Sequence, residues 1–173
     1  DVLDRMVPEV RGKVLAADLR KLGIKESELG QIGPRGWRAE RFPAPAEVSV
    51  NGKAMQIARW PNEGEIPLGK VHDKGSLYEE DLKGSNPGVF EYDTQRGQRW
   101  TKANDMYIEG MFFASWANDI IPVAKVDTVA GTITTKVPHY YGFKQPGFLG
   151  IETYWHAINL LEEIDLPGEY YID

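Results

Sequence analysis

The stretch Glu47-Val48-Ser49-Val50-Asn51-Gly52-Lys53-Ala54-Met55-Gln56-Ile57-Ala58-Arg59-Trp60 decides the fold class. Asn51-Gly52 separates two runs that carry apolar residues, and a two-residue hairpin turn needs positive φ at both central positions, which Asn and Gly accept. Past the turn, a period of two puts Met55, Ile57 and Arg59 on one side of the strand. Ala54, Gln56, Ala58 and Trp60 fall on the other. Pro61-Asn62-Glu63-Gly64 then stops it.

Working outward, residues 122–137 predict a second hairpin. Ile120 to Asp127 alternates from Val123 on, Asp127-Thr128-Val129-Ala130-Gly131 turns, and Thr132 to Val137 is a β-branched strand. Pro122 limits its strand to an edge or a bulge. Met106 to Trp116 is the most apolar stretch and reads as the central strand or strands; Val89 to Tyr92 and Glu169 to Ile172 read as short strands. Residues 13–19 fit either a strand or a helical turn, and residues 26–30 a short helix with Ser27 at its cap. Trp155 to Ile164 partly matches helical spacing over about ten residues. Residues 62–88, polar and rich in Gly and Pro, read as a long surface excursion. Eighteen Gly and eleven Pro in 173 residues favour short strands over long helices. The fold class expected is mainly β, an antiparallel β-barrel or sandwich with one or two short helices, in one domain spanning 1–173.

Composition narrows the chemistry. A hydrophobic share of 42% and a charged share of 27% are those of a folded globular chain. The net charge of -6, with no long basic block, speaks against a nucleic-acid partner that works by phosphate neutralisation. No apolar run reaches the ~20 residues of a membrane-spanning helix. Absence of cysteine excludes disulfides, thiolate metal sites and cysteine nucleophiles. His72, His139 and His156 are scattered without metal-ligand spacing, and no nucleophile elbow or phosphate loop is present, so neither metal nor cofactor is expected. Carboxylates are plentiful, at Glu79-Glu80-Asp81, Asp93, Asp105, Asp119 and Glu162-Glu163-Ile164-Asp165, but a glycosidase needs two at a set separation. Asp105 and Asp119 read as turn stabilisers.

The aromatic content, 11%, includes Trp37, Trp60, Trp100, Trp116 and Trp155. Sugars pack their C–H faces on aromatic rings while their hydroxyls seek polar forks. Arg59-Trp60, Arg99-Trp100 and His139-Tyr140-Tyr141 place both kinds of group side by side. Candidate carbohydrate-binding residues are therefore Arg59, Trp60, Arg99, Trp100, Trp116, Tyr141 and Trp155. The competing reading is that the rings fill a β core and the arginines hold structural carboxylates.

A resemblance sharpens this. Asn51-Gly52-Lys53 through Ala58-Arg59-Trp60-Pro61-Asn62-Glu63-Gly64, Arg96 with Arg99-Trp100, Ile108-Glu109-Gly110 with Trp116-Ala117, and Asn159-Leu160-Leu161-Glu162-Glu163-Ile164-Asp165-Leu166-Pro167-Gly168-Glu169 resemble segments of large secreted bacterial proteins built on a right-handed parallel β-helix. Arg11-Gly12-Lys13-Val14 resembles their lead-in strand. Relatives of that kind include glycoside hydrolase family 141 and β-helical xylan-binding modules. The resemblance implies a β-barrel-like module excised from such a β-helix, a secreted or periplasmic setting and a polysaccharide partner. It also implies that both ends lead back to the remainder of the parent polypeptide. The carboxylates that catalyse in that family sit on later coils, so no catalytic residue is carried over. The function expected is a non-catalytic, polysaccharide-binding module. The alternatives are a purely structural insert, or part of a glycosidase cleft with Glu109 or Asp119 contributing.

Overall fold

A computed structural model describes residues 2–39, 42–78 and 87–173. Its elements are β1 (Ser49–Val50), β2 (Lys53–Ala54), β3 (Gln56–Ile57), β4 (Arg59–Trp60), β5 (Ile66–Pro67), β6 (Val71–Asp73), β7 (Val89–Glu91), α1 (Thr94–Gly97), β8 (Tyr107–Met111), β9 (Asp119–Asp127), β10 (Thr132–Thr135), β11 (Tyr154–Ile158) and β12 (Glu169–Tyr170). Short 3-10 turns join them. The protein is mainly β. Its main sheet runs β4-β11-β8-β9-β10-β7-β6, with β5 also on β11, and every pairing in it is antiparallel. The sheet is open, with β4 and β6 at its edges, so the barrel alternative is not realised.

A sandwich-like arrangement comes from β9. Residues 119–122 pair with β8, and residues 123–127 pair with β10. Pro122 lies at the handover, and the register slips there by one residue between Thr134 and Thr135. A proline and a bulge are both means of bending a strand, so the two halves of the sheet face each other across one core. Phe90 of β7 meets Trp155 of β11 edge-on at 5.5 Å and stacks on Phe143 at 5.5 Å. Trp100, Ile108, Phe112, Ile121, Ile133 and Leu160 complete the buried cluster.

Both expected hairpins form. Asn51 (φ 51°) and Gly52 (φ 76°) make the first turn, with Ser49 opposite Ala54. In the second, Asp127 Oδ1 accepts the backbone N–H groups of Val129 and Ala130. The first hairpin is exposed and lies outside the main sheet. The strand after it is cut into β2, β3 and β4, because β3 pairs in parallel with β12 while β4 pairs with β11. Ala58, Leu161, Ile164 and Met6 bury a second, smaller core beside that parallel pair.

Four expectations need correction. Residues 155–164 are not helical: β11 is an inner strand followed by a 3-10 turn at Leu161–Glu163. Trp155 and Ala157 bury on one face, and His156 and Ile158 on the other, which erases the alternation that marks a strand. Residues 62–88 are not wholly a surface excursion, since β5 and β6 lie in it and Leu68, Val71 and Ser76 are buried; its acidic run Glu79-Glu80-Asp81 lies outside the described residues. Asp119, expected to stabilise a local turn, is buried at the start of β9 and accepts a backbone N–H from the distant Trp37 instead. The 3-10 turn Glu26–Glu28 is closed by Glu28 Oε2 accepting the Lys25 N–H at 2.7 Å, not by Ser27.

Candidate functional site

Aromatic rings gather at one surface around the loops 36–39, 113–116 and 140–141. Trp37 and Trp116 are 48% and 60% exposed and meet edge to face at 5.5 Å. Tyr141 lies 5.9 Å from Trp116, stacks on Phe113 at 4.8 Å, and its hydroxyl accepts the Trp37 Nε1–H at 3.0 Å. Tyr140 and Tyr78 extend the group, 4.8 and 5.7 Å from the Tyr141 ring. An exposed apolar cluster on a surface is a candidate contact site.

A buried device holds the loops together. Asp119 opens β9, and its Oδ1 accepts the Trp37 N–H at 2.7 Å. Its Oδ2 contacts His139 Nε2, and His139 Nδ1 lies 3.1 Å from the Gly142 carbonyl. Arg35 and Ile120 exchange backbone hydrogen bonds at 2.9 and 2.7 Å, which lays the Trp37 loop along β9. Gly36 is required there. A Cβ on it would fall 1.4 Å from Asp119 Oδ1, and its φ is 138°. Arg38 follows at φ 59°, a left-handed conformation costing about 1 kcal/mol for a residue with a side chain. Such strain persists where the surroundings over-determine it, and it gathers at sites that bind.

The next polar group along the sheet is Glu109 on β8. Asn118 donates to its Oε1 at 2.8 Å, and His156 Nε2 lies 3.4 Å from its Oε2. The bond with His156, and then that from Asn118, hold the Glu109 carboxyl below the usual range against a burial that pushes it up. Glu65 stands 3.7 Å from the other ring nitrogen of His156. Of the two carboxylates considered for a glycosidase cleft, Asp119 is turned inward against His139 while Glu109 stays half-buried. Among the described residues no group of three His, Asp or Glu is arranged to hold a metal ion.

The sequence candidates divide. Trp116 and Tyr141 belong to the aromatic surface. Trp100 and Trp155 are about 1% exposed or less, so they offer no ring face to a ligand. Half-buried Trp60 packs on both, at 5.4 and 6.4 Å. Arg99 donates to the Glu162 carbonyl at 2.6 Å and stands 3.6 Å from Glu163. Arg59 donates to the Gly64 carbonyl and braces the turn after β4. These residues form an internal staple. Glu163, fully buried, accepts from Trp100 Nε1 at 2.5 Å and from both Arg96 Nε and Nη2. Arg5 pairs with Glu162 at 2.8 Å, and Asn62 with Asp165 at 2.9 Å. The arginine and tryptophan motifs thus tie the segment 161–165 to the main core. Trp37, which was not among the sequence candidates, shares the aromatic surface. Comparison with protein-family models, curated proteins and solved structures finds no match.

Proposed function

We propose that this domain is a non-catalytic carbohydrate-binding module whose binding surface is the aromatic platform of Trp37, Trp116 and Tyr141. The supporting observation is the exposed, edge-to-face indole pair fixed by the hydrogen bond from Trp37 to Tyr141. Rings with few rotatable bonds, already held in place, give up little entropy on binding. Asn118, exposed and two residues on from Trp116, carries an amide of the kind that suits sugar hydroxyls. The resemblance to β-helix carbohydrate-active proteins points the same way, toward a polysaccharide partner in a secreted or periplasmic setting.

Affinity electrophoresis against xylan, pectin and arabinan tests this. Retardation on at least one polysaccharide is expected, and Trp116→Ala and Trp37→Ala abolish it. Trp100 and Trp155 are excluded from this test because their loss would damage the core. A second reading, a structural insert in a larger β-helix, is favoured by those two buried tryptophans and by exposed Leu15, Leu22 and Leu166. No retardation on any of the three polysaccharides transfers the assignment to that reading.

A further inference from the structure

We infer that the platform selects acidic glycans, those carrying carboxylate or sulfate groups, over neutral ones. The inference rests on the carbohydrate-binding reading and adds the class of sugar. Its basis is the charge around the rings. The Arg38 guanidinium lies 5.4 Å from the Tyr140 ring centroid, and the Lys144 ammonium 4.6 Å from that of Phe113 and 4.8 Å from that of Phe148. Tyr140 and Phe113 each neighbour Tyr141 at 4.8 Å, so each cation is one ring away from it.

Neither cation forms an ion pair among the described residues, although the protein has a net charge of -6. Elsewhere the chain uses arginines on carboxylates, as Arg5 and Arg96 do. The carboxylate beneath the platform, Asp119, is buried against His139 and the Trp37 N–H and offers nothing to Arg38 or Lys144. Glu109, at the far side, is engaged by Asn118 and His156. Arg38 has a left-handed backbone, and its guanidinium lies over the Tyr140 ring. A ring face beside a guanidinium that has no carboxylate partner among the described residues accepts the C–H face of a sugar and the charged group on its edge together, and hydrogen bonds between ionised partners are roughly twice as strong as neutral ones.

The test is binding of the 173-residue protein to polygalacturonate, a neutral galactan and dextran sulfate, followed by titration calorimetry at low and at physiological salt. Polygalacturonate is expected to bind at least about tenfold more tightly than galactan, and to weaken as salt shortens the screening length to about 8 Å. Arg38→Gln and Lys144→Gln each weaken it about fivefold while leaving galactan unchanged, the loss expected for one charge-assisted bond. Trp116→Ala weakens both. Galactan binding as tightly as polygalacturonate, with the two cation variants silent, overturns the acidic class but leaves the carbohydrate-binding reading standing. Binding of dextran sulfate that ignores Trp116→Ala overturns it as well, because attraction to any polyanion then suffices. No binding to any of these three polymers overturns the acidic class, and the carbohydrate-binding reading then rests on the xylan, pectin and arabinan test.

Discussion

Replacing Arg96 by Met should destabilise the protein by about 3 kcal/mol at neutral pH, while Glu163→Gln should cost less than about 1 kcal/mol. The two sit in one hydrogen-bonded pair, and the asymmetry follows from who is buried. Glu163 has no exposed surface, whereas the Arg96 side chain is 27% exposed. Arg96→Met removes both of its hydrogen bonds to the carboxylate and leaves Trp100 Nε1 and a distant Arg99 at 3.6 Å to face the charge. Stranding a buried charge costs about 3–5 kcal/mol; the low end applies because two donors remain. Loss of the Arg96 contact with Trp60 at 5.8 Å adds up to about 1 kcal/mol, which Met partly restores by packing. Glu163→Gln keeps an acceptor for Trp100 and removes a charge that burial disfavours. That same burial pushes the Glu163 carboxyl above its ordinary range, in spite of Arg96 and Trp100. A raised carboxyl contributes stability that is complete below the unfolded value near about 4.3 and lost as pH rises through the folded value. The penalty of Arg96→Met should therefore shrink on acidification, and the double variant should regain more than half of it. Urea unfolding followed by tryptophan fluorescence at neutral and acid pH measures all four proteins. An Arg96→Met variant within about 0.5 kcal/mol of the parent, or a double variant no more stable than it, would refute the reasoning.

Three further outcomes are expected. Gly36→Ala and Gly52→Ala both place a side chain at positive φ, but the Cβ at 52 meets nothing within 4 Å while that at 36 collides with Asp119. Thermal unfolding should show a loss of about 1 kcal/mol for Gly52→Ala and at least about twice that for Gly36→Ala, with a Trp37 emission shift only in the second. Asp119→Ala should weaken the near-ultraviolet dichroism of the Trp37–Trp116 pair and reduce glycan binding, because it releases the Trp37 N–H while the Arg35–Ile120 pairing stays; an unchanged spectrum contradicts the anchoring role. Glu109 has a depressed carboxyl, so its stabilisation is present above about 4.3 and lost as pH falls through the folded value. The stability gap between the parent and Glu109→Gln, below about 1 kcal/mol for a partly exposed group, should close in that acid window when measured by urea titration at stepped pH.

The two hairpins were legible because their causes are local. Asn51-Gly52 has the backbone freedom its turn needs, and Asp127 bonds its own turn two and three residues on. The strand β11 was not legible, because a strand buried on both faces shows no period of two and imitates a short helix. Among the site candidates, Trp116 and Tyr141 lie in the aromatic surface, where Trp37, not a candidate, joins them, and Arg99, Trp100 and Trp155 belong to the staple and core. An arginine beside a tryptophan looks the same in sequence whether it faces a sugar or a buried glutamate. Only the partner, Glu163, which lies 63 residues beyond Trp100, tells them apart.

By itself, then, the chain's order of residues determined a mainly β, antiparallel protein without cysteine chemistry, since turn chemistry, side-chain period and composition act over a few residues. The tertiary structure alone decided which rings face water. That outcome depends on contacts between distant segments: Asp119 reaching back 82 residues to the Trp37 backbone, and His139 closing the loop of Tyr140 and Tyr141 over the same carboxylate. Exposure is a property of what folds over a residue, and no local pattern carries it.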